Sequence, residues 1–286
     1  PHPAQAGVLA LAARLRAGVR DAPPSERPDG APSAFARDEL AAAQALERLN
    51  RGEGRLVAFV GKLILNKGVD LLLAAWPLVL EQLPEARLVV VGFGADRELL
   101  ERLLHALAAG QLERARDGAM PHLRAFLDGL GGVERSRYVD AARALEERVV
   151  FTGRLDHEEL AELLPACEAL VVPSTFPEAF GMVAAEAAAC GALPVSAGHS
   201  GLAEVSETLA GAVGEQAAAW LSFPIDDRAV RALADCVIGW LQADPTLRAQ
   251  TREHLVATVR ERWSWEGVAR GVIAAASGEV AALQKP

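Results

Sequence analysis

From Arg55 onward the chain alternates two kinds of apolar pattern. Short unbroken runs of Val, Leu and Ala occur in "RLVAFVG" (Arg55–Gly61), "ARLVVVGFG" (Ala86–Gly94), "RVVFTG" (Arg148–Gly153), "EALVVPS" (Glu168–Ser174), "LPVSA" (Leu193–Ala197) and "AWLSFPID" (Ala219–Asp226). Runs this short and this continuous predict strands buried on both faces. Between them lie stretches of helical character: "VDLLLAAWPLVLEQL", which tolerates Pro77 with an irregularity, "DRELLERLLHALAAG", "DHEELAELLPAC", "GMVAAEAAACG" and "GLAEVSET". Three more helices are expected at Asp227–Gln242, Thr246–Trp263 and Trp265–Leu283. Strands alternating with helices at this spacing imply right-handed βαβ units. The fold class is therefore α/β, a doubly wound parallel sheet of Rossmann-like type.

Two regions depart from this rhythm. Residues 1–50 give a helical stretch at Ala4–Val19, a Pro/Gly/Ser-rich linker "DAPPSERPDGAPS" and a helix at Arg37–Leu49. They read as a segment preceding a domain over 51–286. Gln111–Glu147 is charged, helical in pieces, and carries the only tyrosine, Tyr138; it reads as an insertion of unassigned role.

Composition narrows the picture. With 286 residues, 51% of them hydrophobic, the chain can bury a sizeable core. A formal charge of −9 argues against nucleic acid as a main partner. Cys167, Cys190 and Cys236 are odd in number and sit among apolar residues, so reduced, buried thiols and a cytoplasmic location are expected. No run reaches the roughly 18–20 apolar residues of a membrane span.

In doubly wound sheets ligands bind beyond the carboxyl ends of the strands. Those ends carry Gly61-Lys62, Gly92-Phe93-Gly94, Thr152-Gly153-Arg154, Pro173-Ser174-Thr175 and Gly198-His199-Ser200-Gly201. Lys62 and Lys67 beside a helix start, with Asn66 as its N-cap, suit a phosphate group, or are solvated loop charges. "VVVGFGAD" lacks the third glycine of a dinucleotide fingerprint, and no Walker loop occurs. In "STFPEAFGMVAAEAAACGALPVSAGHSG", Pro177 and Gly181 put Glu178 in a loop and Glu186 in the following helix. Five helical residues rise about 7.5 Å, so carboxylates roughly 7–12 Å apart could hold both ends of a ligand with negative charge in its middle. A nucleotide-sugar has that shape. The plainer alternative is that Glu178 caps the helix and Glu186 pairs with a surface cation. His199 is more commonly structural than catalytic, His157 helps start its helix beside Asp156, and Trp263 and Trp265 serve as packing anchors.

The stretch "PSTFPEAFGMVAAEAAACGALPVSA" resembles the E-x7-E signature of family-four retaining glycosyltransferases of GT-B fold. "FVGKLILNKGVD" is similar to the family's F-x-G-R-x-x-x-x-K-G-x-D segment, and "RERWSWEGVA" to its F-S-W-E-x-V-A helix start. The resemblance spans about residues 55–272. It implies a hexose transferred from a UDP-, GDP- or ADP-sugar to an acceptor hydroxyl, with no cofactor and no bound metal. Lys62, standing where arginine is usual, and Lys67 would bind the diphosphate, with Gly61 beside them. Glu178 would accept from the sugar hydroxyls, aided by backbone at Phe180 and Gly181, and Glu186 from the ribose. Gly198, Ser200 and Gly201 would lie near the phosphates and Arg154 near the base. The acceptor, a sugar or lipid, would be bound by an N-terminal domain that this chain lacks, making it an excised C-terminal half and leaving any membrane association to the missing part. A nucleotide-sugar-binding module without turnover, or a glycoside hydrolase using Glu178 and Glu186, are the alternatives.

Overall fold

The computed structural model describes residues 3–18, 37–49 and 54–279. The proline-rich linker and the last residues of the C-terminal helix expected from sequence lie outside them. In chain order the elements are α1 (Pro3–Gly18), α2 (Glu39–Leu49), β1 (Leu56–Val60), α3 (Val69–Gln82), β2 (Arg87–Val91) and α4 (Arg97–Ala108). Four short helices follow: α5 (Leu112–Arg116), α6 (Pro121–Gly129), α7 (Gly132–Ala142) and α8 (Leu145–Arg148). Then come β3 (Val149–Gly153), α9 (His157–Leu163), β4 (Ala169–Val172), α10 (Met182–Ala189), β5 (Leu193–Ala197) and α11 (Ser200–Ala210). The chain continues through α12 (Glu215–Ala218), β6 (Ser222–Phe223), α13 (Ala229–Gln242), α14 (Pro245–Arg262) and α15 (Trp265–Ala276).

The six strands form one sheet in the order β3-β2-β1-β4-β5-β6, and every pairing is parallel. The unbroken apolar runs are explained by burial on both faces, and strand geometry sends alternate residues to opposite sides. Val57, Phe59, Leu88, Val90, Ala169 and Val171 join one core with α3, α4 and α13. Ala58, Val89, Val91 and Leu170 join a second core with α1, α2 and α9. The first fifty residues thus supply two helices that cover one face of the sheet.

The segment read as an insertion forms the crossover from α4 to β3 and packs as part of the first core. Tyr138 on α7 is fully buried, meets Phe126 edge-on and donates its hydroxyl to the Ala74 carbonyl of α3 at 2.9 Å. Pro77 sits inside α3, as expected. Asn66 does not cap α3. It lies in a short 3-10 turn (Leu65–Lys67), and the residue ahead of α3 is Gly68. His157 is the first residue of α9, as expected, and Asp156 precedes it in a capping box whose Glu159 carboxylate accepts from the Asp156 amide at 2.6 Å.

Candidate functional site

The strand order reverses between β1 and β4, the switch point at which doubly wound sheets open a crevice. The loops after β1, β4 and β5 meet there. Gly68 makes the meeting possible: its φ is +68°, and a Cβ at this position would lie 1.9 Å from the Pro173 carbonyl oxygen. Only glycine admits that approach. With the two loops in contact, the Thr175 amide donates to the Asn66 carbonyl at 2.9 Å. Lys67 can then reach across and pair with Glu178.

Glu178 is gripped on every side but one. Its Oε1 accepts from Lys67 and from the Ser174 hydroxyl, the latter at 2.6 Å. Its amide donates to Ser200 Oγ at 2.9 Å, and its carbonyl accepts from the Gly201 amide at 3.0 Å. Gly201 passes so close that a Cβ there would fall 2.6 Å from the Ala179 carbonyl. Oε2 takes no partner among the described residues. Burial alone would raise the Glu178 carboxyl, but the Lys67 ammonium and Ser174 hydroxyl hold it below the ordinary range.

Ser200 is the only non-glycine with positive φ among the described residues, at 52°. Such backbone persists where its surroundings over-determine it; here the Ser200 hydroxyl holds the Glu178 loop. His199 ties the loops after β4 and β5 together, its Nε2–H donating to the Ser174 carbonyl at 2.8 Å. That contact makes it a link between the two loops.

Glu186 lies on α10, half-buried, and its carboxylate has no hydrogen bond or ion pair among the described residues. Neither plain alternative for the glutamates therefore holds: Gly181, not Glu178, precedes α10, and Glu186 has no cation. Lys62, just after β1, is exposed and has no partner among the described residues. Gly61 donates its amide to the Val91 carbonyl at 3.0 Å, and Gly198 its amide to the Phe223 carbonyl at 2.8 Å, so both sit at strand ends as expected. Phe180 meets Trp263 edge-on, with 5.5 Å between ring centroids. Trp265 is no packing anchor, being 90% exposed. Arg154 stands apart. It follows the edge strand β3, two strands from β1, and pairs with Asp156 at 3.5 Å. Ser174 had no role assigned from sequence, although its spacing of four from Glu178 carried the signal. Among the described residues no three His, Cys, Asp or Glu side chains converge to hold a metal ion.

The Lys67–Glu178 pair and the close-approaching glycines lie at the switch point of a parallel sheet, the arrangement of a Rossmann-like domain. Its family is then shown by comparison: the model of the glycosyl transferases group 1 family matches residues 44–112 and 121–246, well over half of the chain, and the chain belongs to that family. It is similar to D-inositol 3-phosphate glycosyltransferase of Segniliparus rotundus, with 30% identity over 84% of this chain and 43% of that protein. It is also similar to the GDP-mannose-dependent monoacylated alpha-(1-6)-phosphatidylinositol monomannoside mannosyltransferase of Corynebacterium glutamicum, with 28% identity over 74% and 44%. Among solved structures, sucrose-phosphate synthase from Thermosynechococcus elongatus superposes with a TM-score of 0.51 at 25% identity, over 87% of this chain and 50% of that one. Anabaena HepE in complex with UDP-glucose gives 0.55 at 20% identity, over 86% and 54%, a likeness of fold. The fold is that of a GT-B glycosyltransferase domain. The chain spans about half the length of these proteins or less. No described helix is long and apolar enough to cross a membrane.

Proposed function

We propose that this chain is the donor-binding half of a retaining glycosyltransferase that moves a hexose from a nucleoside-diphosphate sugar to an acceptor hydroxyl. The observation that carries it is the pair of glutamates: Glu178 is locked in place with Oε2 open, and Glu186 is on the next helix with no protein partner. In this reading Oε2 of Glu178 accepts from the sugar hydroxyls and Glu186 from the ribose hydroxyls. Lys62 and Lys67 meet the diphosphate between them, with Gly198–Gly201 and the start of α11 close by. Arg154 lies toward the base. Two curated relatives are named for GDP-mannose-dependent or inositol-phosphate transfer, and a structural neighbour holds UDP-glucose, which supports a nucleotide-sugar donor.

In the transfer, the bond from the anomeric carbon to the diphosphate oxygen breaks and its electron pair leaves with the diphosphate. The acceptor oxygen forms the new bond on the same face and passes its proton to the departing diphosphate oxygen. The lysines and the helix dipole stabilise the departing charge, an electrostatic contribution that needs no covalent nucleophile. Lys67 must leave Glu178 or share itself to do this, so donor binding is expected to reorganise that ion pair. A hydrolase would need one of the glutamates to stay protonated as the acid; Glu178, held below the ordinary carboxylate range, is ill suited to that role.

The acceptor site belongs to a further domain in this proposal. The exposed apolar side chains of α15, with Trp265 at 90%, Ile273 at 65% and Val272 at 63% exposure, offer a surface for that domain to cover. Titration calorimetry of the chain with UDP, GDP and ADP, and with their glucose and mannose forms, tests the donor assignment. One diphosphate and its sugar form are expected to bind; a folded chain that binds none contradicts it.

A further inference from the structure

Ser200 has an unfavourable backbone for a serine. Its φ of 52° lies in the left-handed region, which glycine enters without strain and other residues do not. Strain of this kind is kept at a site where the surroundings fix the residue. The Ser200 hydroxyl accepts from the Glu178 amide at 2.9 Å and lies 3.1 Å from Nδ1 of His199. Its single proton goes to that nitrogen or to the His199 carbonyl at 2.8 Å.

The other side of the imidazole is fixed without ambiguity. Nε2 lies 2.8 Å from the carbonyl oxygen of Ser174, a residue 1% exposed. A carbonyl has no proton to give, so Nε2 must carry one. From Ser174 the path returns to its start, because the Ser174 hydroxyl donates to Oε1 of Glu178 at 2.6 Å. The loops after β4 and β5 thus close a ring of hydrogen bonds that runs from Glu178 through Ser174, His199 and Ser200 back to Glu178.

Both imidazole nitrogens are engaged inside this ring. His199 therefore has no donor left for a phosphate, although it sits in the loop read as lying near the diphosphate. The Lys67 ammonium shares Oε1 with Ser174, yet it is also the cation that a diphosphate would draw away. Once it turns, the Ser174 hydroxyl is what still holds the carboxylate, and His199 holds Ser174. Without the imidazole the Ser174 peptide can tilt, and its hydroxyl has a second acceptor in the Asn66 carbonyl, 3.3 Å away.

We propose that His199 is the positioning residue for Glu178: acting through Ser174 and Ser200, it keeps Oε2 aimed at the donor sugar after Lys67 has turned to the diphosphate. This assignment rests on the nucleotide-sugar reading above. It gives a residue of the phosphate loop control over the sugar end of the ligand, which its place in the chain does not suggest.

The test is titration calorimetry of the whole chain with UDP, GDP and ADP and with their glucose and mannose forms. The quantity read is the ratio of affinities, sugar form over free diphosphate. His199→Ala is expected to lower that ratio by about tenfold, the size of one lost hydrogen bond, while the diphosphate itself weakens by less than about threefold. His199→Gln, whose amide can still donate to the Ser174 carbonyl, should recover about threefold of the loss. A loosened fold would weaken both ligands together. Ser200→Gly removes the hydroxyl at a φ that glycine adopts freely, so it opens the ring from its other side and should lower the ratio in the same direction. Circular dichroism establishes that each variant is folded, and Ser200→Gly decides the matter if His199→Ala is not. Long-range proton–nitrogen NMR of the unaltered chain should find the neutral His199 ring protonated at Nε2. The proposal is overturned if that proton sits on Nδ1, if the ratio survives in the folded variants, or if the diphosphate weakens as much as its sugar form. A chain that binds no nucleoside diphosphate refutes the donor reading and this role with it; a sugar preference that survives His199→Ala refutes the role alone.

Discussion

Two carboxyl groups of this chain lie beside the same turn, Asp70 in sequence and Glu178 across space, and their surroundings could hardly differ more. Glu178, across from Lys67, is half-buried and held by an ammonium, a hydroxyl and two backbone contacts. Asp70, three residues beyond Lys67, is more deeply buried and has neither an ammonium nor a hydroxyl against it, only the amides of its own helix start. The first carboxyl is held below its ordinary range and the second is driven above it. Burial raises both, and the partners decide the sign. At the rim the partners settle the charge of Glu178, whereas at Asp70 burial dominates.

The contrast can be broken at its geometric root. Gly68→Ala places a methyl group against the Pro173 carbonyl at a φ of +68°. Strain and clash together should cost about 4 kcal/mol of stability and uncouple Lys67 from Glu178. Denaturant unfolding measures the loss, and an unchanged midpoint would mean that the loops do not need this approach.

The next effect belongs to Asp70 and depends on pH. Its folded value of about 6 lies above the ordinary 3.8, so the native state holds the proton more tightly than the unfolded chain. The associated stability is present below about pH 4 and is lost as pH rises through 6, a change of about 3 kcal/mol by pH 7. Asp70→Asn cannot ionise, so its stability relative to the parent should rise by that order between pH 4 and pH 7. A difference independent of pH would show that Asp70 is not isolated.

Smaller effects sharpen the other side of the comparison. Glu178→Gln removes the charge that Lys67 and Ser174 stabilise and should cost about 1 kcal/mol at neutral pH. The loss should shrink as the pH falls, because the depressed carboxyl then gains its own proton. Glu186→Ala should change stability by less than about 0.5 kcal/mol, since no protein partner is given up. A larger loss in thermal unfolding would mean that Glu186 supports the fold.

How far sequence alone could reach varied with the range of the interactions. The strands were legible because burial on both faces leaves a local mark, and Val57, Ala58 and Phe59 show it in three successive residues divided between two cores. The site was legible as a set of strand ends, and Pro177 and Gly181 placed Glu178 in its loop and Glu186 on its helix. The Lys67–Glu178 pair was not legible, because it depends on two loops meeting at Gly68 and Pro173, residues separated by more than a hundred positions. Asn66 misled because its side chain suits a cap, while the turn actually needed the left-handed backbone that glycine supplies at the next helix entry. Trp265 misled because a tryptophan beside a helix start usually packs, and here it faces solvent. The isolation of Asp70 had no local sign at all.

The most direct test of the donor assignment compares the two glutamates by calorimetry, using whichever nucleoside diphosphate the chain binds and its sugar form. If they hold opposite ends of one ligand, Glu186→Ala weakens the diphosphate and the sugar form alike, by about tenfold or more. Glu178→Gln then removes the extra affinity that the sugar confers and leaves the diphosphate bound at least as tightly as before, with Lys67 set free. Equal losses for both ligands in both variants, or no loss in either, would contradict the division of labour on which the proposed transferase rests.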